Sequence, residues 1–253
     1  MNRNFLKTIS SRIILSSIGF MLLIFVWKGC KTVNDDGNNS PELWLTTADG
    51  QALFQKLEDR LRKADSNSGN PVININSNTT YQTIDGFGYS LTGGSALHLN
   101  NMDASARESI LNELFGEGEG KIGVSYLRVS IGASDLDPAP FSYNELPAGQ
   151  TDESMENFSL DPDREYLIPV LKEILDIYPD LKILGSPWSA PTWMKTSKST
   201  IGGRLMPEYY DAYALYFVKY IQGMADEGIP IDAITVQNEP LHDSNNPCTY
   251  LDY

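Results

Sequence analysis

From Ile84 onward the chain repeats one unit, an apolar run of strand length, then a loop, then a segment with helical periodicity. This alternation limits the fold more than any other feature, because strands separated by helices pair in parallel and parallel strands must be covered by those helices. Strands are expected at residues 87–91, 124–131, 181–185 and 233–237. Helices are expected at 106–115, where Ser105 and Glu108 have capping-box spacing and Gly116 suits the end, and at 168–178, where Pro169 is tolerable only in the first turn. Pro207 opens a third helix, with Tyr210, Tyr213, Phe217, Ile221 and Met224 marking one face and Gly228 as its stop. Ahead of this region, Leu53, Phe54, Leu57 and Leu61 at helical spacing predict a helix within 43–63, and the alternation in 72–75 predicts a short strand.

The fourth strand runs into Ile234-Thr-Val-Gln-Asn-Glu239-Pro240, an apolar run ending in an amide and a carboxylate held by a proline. A glutamate at the C-terminal end of a barrel strand can be desolvated enough to carry a proton near neutral pH, which is what a catalytic acid needs. Asn238 would offer its amide to a sugar hydroxyl. The plainer reading of the tripeptide is a strand end capped by an exposed polar turn.

After the third strand comes Leu184-Gly-Ser-Pro-Trp188-Ser-Ala-Pro-Thr-Trp193-Met-Lys195. Pro187 and Pro191 stiffen this loop, and each indole presents a flat apolar face with one N–H donor. A sugar ring can stack on such a face while a few fixed polar groups hold its hydroxyls. Trp188 is the candidate for that role, and Trp193 reads better as a structural plug.

With Gln82-Thr-Ile-Asp-Gly-Phe-Gly-Tyr-Ser-Leu-Thr-Gly-Gly-Ser-Ala96, Tyr126-Leu-Arg128-Val-Ser-Ile-Gly-Ala-Ser-Asp135 and Tyr216-Phe-Val-Lys-Tyr220, these motifs occur in one order over residues 81–253. In that order they resemble glycoside hydrolase family 30, the glucosylceramidase-like and β-1,6-glucanase-like enzymes. The resemblance implies an α/β fold, a (β/α)8 TIM barrel with a β-sandwich side domain to which residues 41–83 contribute. It also implies retaining hydrolysis of a β-linked oligosaccharide, polysaccharide or glycolipid by two glutamates, with no cofactor and no metal. Glu239 would be the acid/base, and the nucleophile would come from a later strand, beyond Tyr253. Arg128, inside an otherwise apolar strand, would support the catalytic carboxylates from within the barrel or form a structural ion pair. Asp135 and Asp137 would line the sugar site or cap their loop beside Pro138. Many glucosylceramidase-like relatives carry a sugar-gripping aspartate where this chain has Gly93, which favours an oligo- or polysaccharide over lipid-linked glucose. His98 is a candidate replacement. A carbohydrate-binding protein without turnover is the alternative, as is an inactive truncated remnant.

Four strands are half of an eight-stranded barrel, so the sequence is expected to be the N-terminal part of a longer product. A complete four-strand domain would leave a sheet edge open. The formal net charge of −14 excludes nucleic acid and anionic membrane surfaces as partners through repulsion. With two histidines and two cysteines, Cys30 and Cys248, the chain has neither a zinc-type cluster nor a disulfide framework. Arg3, Lys7 and Arg12 precede an apolar run from Ile13 to Trp27, the layout of an export signal over residues 1–30. Gly29-Cys30 resembles a lipoprotein cleavage site with Cys30 lipidated, and residues 31–40 read as a polar tether. Export to the periplasm, outer membrane or cell surface is therefore expected, with membrane contact only through the signal or lipid anchor.

Overall fold

The computed structural model describes residues 43–57, 69, 73–242 and 244–250. The export segment with Cys30, the tether, Leu61 and Val72 lie outside these residues. The chain divides into two compact units, Met1–Asn78 and Thr79–Tyr253.

In the first unit, β1 (Trp44–Leu45) pairs antiparallel with β2 (Gln55–Lys56). This overturns the helix expected across Leu53, Phe54 and Leu57. Thr46 and Thr47 accept hydrogen bonds through their hydroxyls from the Phe54 and Ala52 amides, closing a hairpin-like turn. Phe54 has φ of 48°, outside the helical region, and stacks on Trp44 at 4.9 Å. A ring contact and a turn outweigh a weak helical spacing here. Residues 73–75 form no strand either; they are exposed and unpaired by any ladder.

The second unit is built on a parallel sheet of β3 (Gly88–Leu91), β4 (Tyr126–Ile131), β5 (Lys182–Pro187) and β6 (Ala233–Ile234), in that order. Period-two alternation sorts the two faces of β4. Leu127, Val129 and Ile131 are buried beneath the helices, whereas Arg128 and Ser130 point to the other face, where Ser130 lies opposite Ser186 in register. Gly185 lies on the packed face because a Cβ there would stand 2.9 Å from the Ile131 side chain and 3.2 Å from the Tyr220 ring.

The covering helices are α1 (Gly93–Asn100), α2 (Ala104–Phe115), the single turn α3 (Asp161–Arg164), α4 (Leu167–Ile177) and α5 (Tyr210–Asp226), the last preceded by a 3₁₀ turn at Pro207–Tyr209. Both α1 and α2 pack against α4. The buried stripe of α4 is Leu167, Ile168, Val170, Leu171 and Ile174, with Pro169 in the first turn, where no helical N–H is required of it. Helix α2 is capped by Asp103, which accepts from the Ser105 and Ala106 amides. The Ser105–Glu108 capping box is therefore not used, since the charged acceptor two residues earlier suits the positive helix end better.

Helix α1 was not expected, because Gly93 and Gly94 are poor helix formers. They are there for space. A Cβ on Gly93 would lie 1.9 Å from Asp137 Oδ1, and one on Gly94 would lie 2.0 Å from the Leu136 carbonyl oxygen. Thr92 caps the helix, accepting from the Ser95 amide.

Helix α5 buries Tyr213, Tyr216, Phe217, Tyr220 and Met224, while Tyr210 is 56% exposed and Ile221 also faces outward. The expected face is thus rotated, because tyrosines occur all round this helix and spacing alone does not select among them. The inward rings enclose Tyr143, which stacks on Tyr220 at 5.7 Å and on Tyr216 at 5.8 Å. Gly228, with φ of +82°, follows the end of the helix as expected.

Candidate active site

The C-terminal ends of β4, β5 and β6 converge on Arg128. Its Nη2 donates to Asn238 Oδ1 at 2.5 Å and to Ser186 Oγ at 2.9 Å. Its guanidinium carbon lies 4.6 Å from the centre of the Trp188 ring. The Trp188 indole N–H in turn donates to Asp135 Oδ1 at 3.1 Å. Asp135, Trp188 and Asn238, each at the end of a different strand, are thereby tied to one another through a single cation and a single ring. Burial pushes the Arg128 guanidinium below its ordinary value, and the negative charge of Glu239 opposes that shift. The direct partners of Arg128 are thus an amide and a hydroxyl, and Glu239 acts on it through charge.

The strand carrying Glu239 is shorter than expected, since β6 ends at Ile234. Contact with β5 nevertheless continues beyond it, through Thr235 N to Gly185 O at 2.9 Å and Asn238 N to Pro187 O at 2.7 Å. The side chain of Gln237 fastens the two motifs together, donating to the Trp188 carbonyl at 2.6 Å and to the Asn238 carbonyl at 2.9 Å. Beneath them Ser186 Oγ and Thr235 Oγ1 are 2.6 Å apart. Glu239 then turns the backbone with φ of 46°, a left-handed conformation that is uncommon for a residue with a Cβ. Its side chain is exposed, so the described residues do not supply the desolvation expected for it. Asn245 Nδ2 donates to Glu239 Oε2 at 3.1 Å.

The two tryptophans differ from one another. Trp193 is 4% exposed, donates its N–H to the Asn144 carbonyl and side-chain oxygens, and packs edge-on against Tyr209, which makes it a packing residue. Trp188 is only 6% exposed, with Arg128 over its ring and its N–H occupied by Asp135. It is a wall of the cluster rather than the open platform the sequence suggested. Asp137 is held by the Ser134 amide and hydroxyl, both at 2.8 Å, and by the Tyr166 hydroxyl at 3.2 Å, so its loop-capping reading is the one the contacts describe. His98 sits in the last turn of α1.

Sequence reasoning missed Ser186, Thr235, Gln237 and Asn245. The alternation of β5 and of residues 233–237 carried a signal for the first two, since both fall on the same face as Arg128. Gln237 and Asn245 carried none, because Gln237 serves backbone carbonyls and Asn245 reaches the Glu239 carboxylate only through the fold of the turn.

The match to glycosyl hydrolase family 30, TIM-barrel domain, covers residues 84–250, from the approach to the first parallel strand to the turn beyond Glu239. The chain belongs to glycosyl hydrolase family 30. Among curated relatives, it is 33% identical over 221 residues to an endo-1,6-β-D-glucanase of Neurospora crassa, covering 83% of this chain and 45% of that one. It is 32% identical over 172 residues to putative glucosylceramidase 1 of Caenorhabditis elegans, covering 66% of this chain and 32% of that one. Among solved structures, an endo-β1,6-glucanase superposes with a TM-score of 0.69 at 35% identity, covering 83% of this chain and 45% of the other. The chain spans less than half the length of these relatives. Membership of family 30 identifies the four parallel strands as strands of a TIM barrel, and the antiparallel pair of β1 and β2 is the kind of element its side domain contains.

Proposed function

We propose that the whole protein is a retaining β-glycosidase acting on a β-1,6-linked glucan, with Glu239 as general acid/base. The observation that carries this is the Arg128 cluster, in which Asn238 is fixed at 2.5 Å beside a glutamate at a strand end. In such a site the acid protonates the leaving glycosidic oxygen, a second carboxylate attacks the anomeric carbon, and water later releases the sugar with Glu239 acting as base. That second carboxylate belongs to a strand outside these residues. Asp135 and Asn238 face the sugar, with Trp188 as the wall behind them and Arg128 holding the three in place.

A glucan is preferred to a glycolipid for two reasons. At the same 83% coverage of this chain, an endo-1,6-β-D-glucanase is 33% identical and putative glucosylceramidase 4 is 27% identical. Gly93 also leaves its place to the Asp137 carboxylate, which is already engaged by Ser134 and Tyr166. Export and lipidation at Cys30 belong to the same proposal, and uptake of labelled fatty acid that is lost in Cys30→Ser tests them.

The experiment for the active site is Glu239→Gln in the whole protein. Hydrolysis of β-1,6-glucan, whose leaving group needs protonation, should fall by about 10²–10⁴-fold, and cleavage of aryl glucosides with acidic phenols much less. Wild-type rates on both substrates would remove Glu239 from the role.

A further inference from the structure

Glu239 has a second set of partners that does not involve Arg128. The turn after Pro240 folds back, so that the His242 amide donates to the Glu239 carbonyl at 2.9 Å and Asn245 Nδ2 reaches Glu239 Oε2 at 3.1 Å. The other end of the same amide, Asn245 Oδ1, lies 3.2 Å from His242 Nε2. An amide oxygen only accepts, so in the Nε2–H tautomer of His242 the ring donates to Asn245 Oδ1, and Ser244 Oγ lies 2.9 Å from the same nitrogen. In that tautomer the hydrogen bonds run in one direction, from imidazole to amide oxygen and from amide nitrogen to carboxylate.

This turn is anchored from behind. Thr200 Oγ1 donates to Asn246 Oδ1 at 2.7 Å, the Cys248 amide donates to the Thr200 carbonyl at 3.0 Å, and buried Lys195 donates to the Cys248 carbonyl at 2.6 Å. Asn245 is thus presented to Glu239 by a fixed frame, whereas the exposed Glu239 side chain would otherwise sample several rotamers.

We propose that Asn245, oriented by His242, is a positioning residue for Glu239 and selects which carboxyl oxygen carries the catalytic proton. This rests on the reading of Glu239 as acid/base. An oxygen that accepts an N–H is less basic than its free sibling, so occupancy of Oε2 by Asn245 directs the proton to Oε1 and fixes that oxygen toward the glycosidic bond. Removal of Asn245 therefore leaves the acid less well aimed.

The test uses the whole protein with Asn245→Ala, Asn245→Asp and, as a separate control, Glu239→Gln. Asn245→Ala should lower kcat on β-1,6-glucan about tenfold and leave KM and the rate on an aryl glucoside with an acidic phenol nearly unchanged. Asn245→Asp keeps the volume and the oxygen facing His242 but lacks the N–H that holds Oε2, so it should show the same selective loss on glucan. Equal losses on both substrates would show that Asn245 serves the fold alone and would overturn the proposal. Should Asn245→Ala not fold, the split between the two substrates in Asn245→Asp decides. Retention of glucan hydrolysis by Glu239→Gln would instead remove the acid/base reading on which the proposal rests.

Discussion

Asp163→Asn should convert the pH dependence of stability into a measurable difference. Asp163 is 2% exposed, and the Tyr143 hydroxyl donates to its Oδ2 at 2.5 Å inside the aromatic cluster of α5. Burial raises its carboxyl, the Tyr143 hydrogen bond opposes the rise, and the charge of Asp137 adds to it, so that it titrates at about 7 against an ordinary 3.8. The folded state then binds a proton more tightly than the unfolded state. Stability contributed by this group is full below the unfolded value and declines as pH rises from about 4 to about 7, beyond which both states are ionised. At about 1.4 kcal/mol per pH unit, the full penalty is about 4 kcal/mol, of which about 3 develops between pH 5 and pH 8.5. Asparagine cannot ionise, and its oxygen can still accept from Tyr143. Its amide nitrogen lacks an assured acceptor, which costs about 1–3 kcal/mol at every pH. Denaturant titrations of both proteins from pH 5 to pH 8.5 should therefore give a variant that is less stable in acid and gains about 3 kcal/mol on the native protein by pH 8.5. In thermal scans the same swing is about 6–12 °C for a unit of this size. Stability curves that run parallel across that range would refute the assignment of a protonated Asp163.

Gly93→Ala should cost about 1–3 kcal/mol in denaturant unfolding, because the new Cβ must displace the Asp137 carboxylate from Ser134 and Tyr166; an unchanged midpoint would show that α1 shifts freely. Lys195→Met should lower stability by about 2–4 kcal/mol, since Nζ is the donor that reaches the Thr200 and Cys248 carbonyls and Ser189 Oγ. Burial pushes this ammonium down to about 8, so the native protein gains stability as pH rises from about 8 toward 10.5; the variant should lack that gain, and an identical alkaline profile would contradict it.

The parts of the fold legible in the sequence were those in which one local pattern and one burial requirement agree. The apolar runs of β3, β4 and β5 and the stripe of α4 meet that condition. Helix α1 does not, because Gly93 and Gly94 answer to Asp137 and Leu136, more than forty residues away, and local propensity opposes the structure that results. The turn from Thr46 to Phe54 fails in the opposite sense, with a helical spacing whose apolar residues have no core face to meet and instead stack as Trp44 on Phe54. At the candidate site, Arg128, Asp135, Trp188, Asn238 and Glu239 stand out in the sequence because a charge, a ring or an amide at a strand end is conspicuous against apolar neighbours. What was not readable is how they share partners. The covering of Trp188 by Arg128 and the hold of Asn245 on Glu239 depend on the relative placement of three strands and a turn, which spacing along one strand does not encode.

The strands of the parallel sheet lie side by side in the order in which they are synthesised. Each one, on leaving the ribosome, meets an edge that its predecessor has already formed, and at roughly 5–20 residues per second successive strands arrive a few seconds apart. Growth can thus be vectorial, with a single advancing edge that needs protection only until the next strand docks. The Arg128 cluster inherits this order in time. Arg128 is in place first, Ser186 and Trp188 close over it when β5 adds, and Asn238 comes last, so that the amide is delivered to a cation whose other partners are already seated.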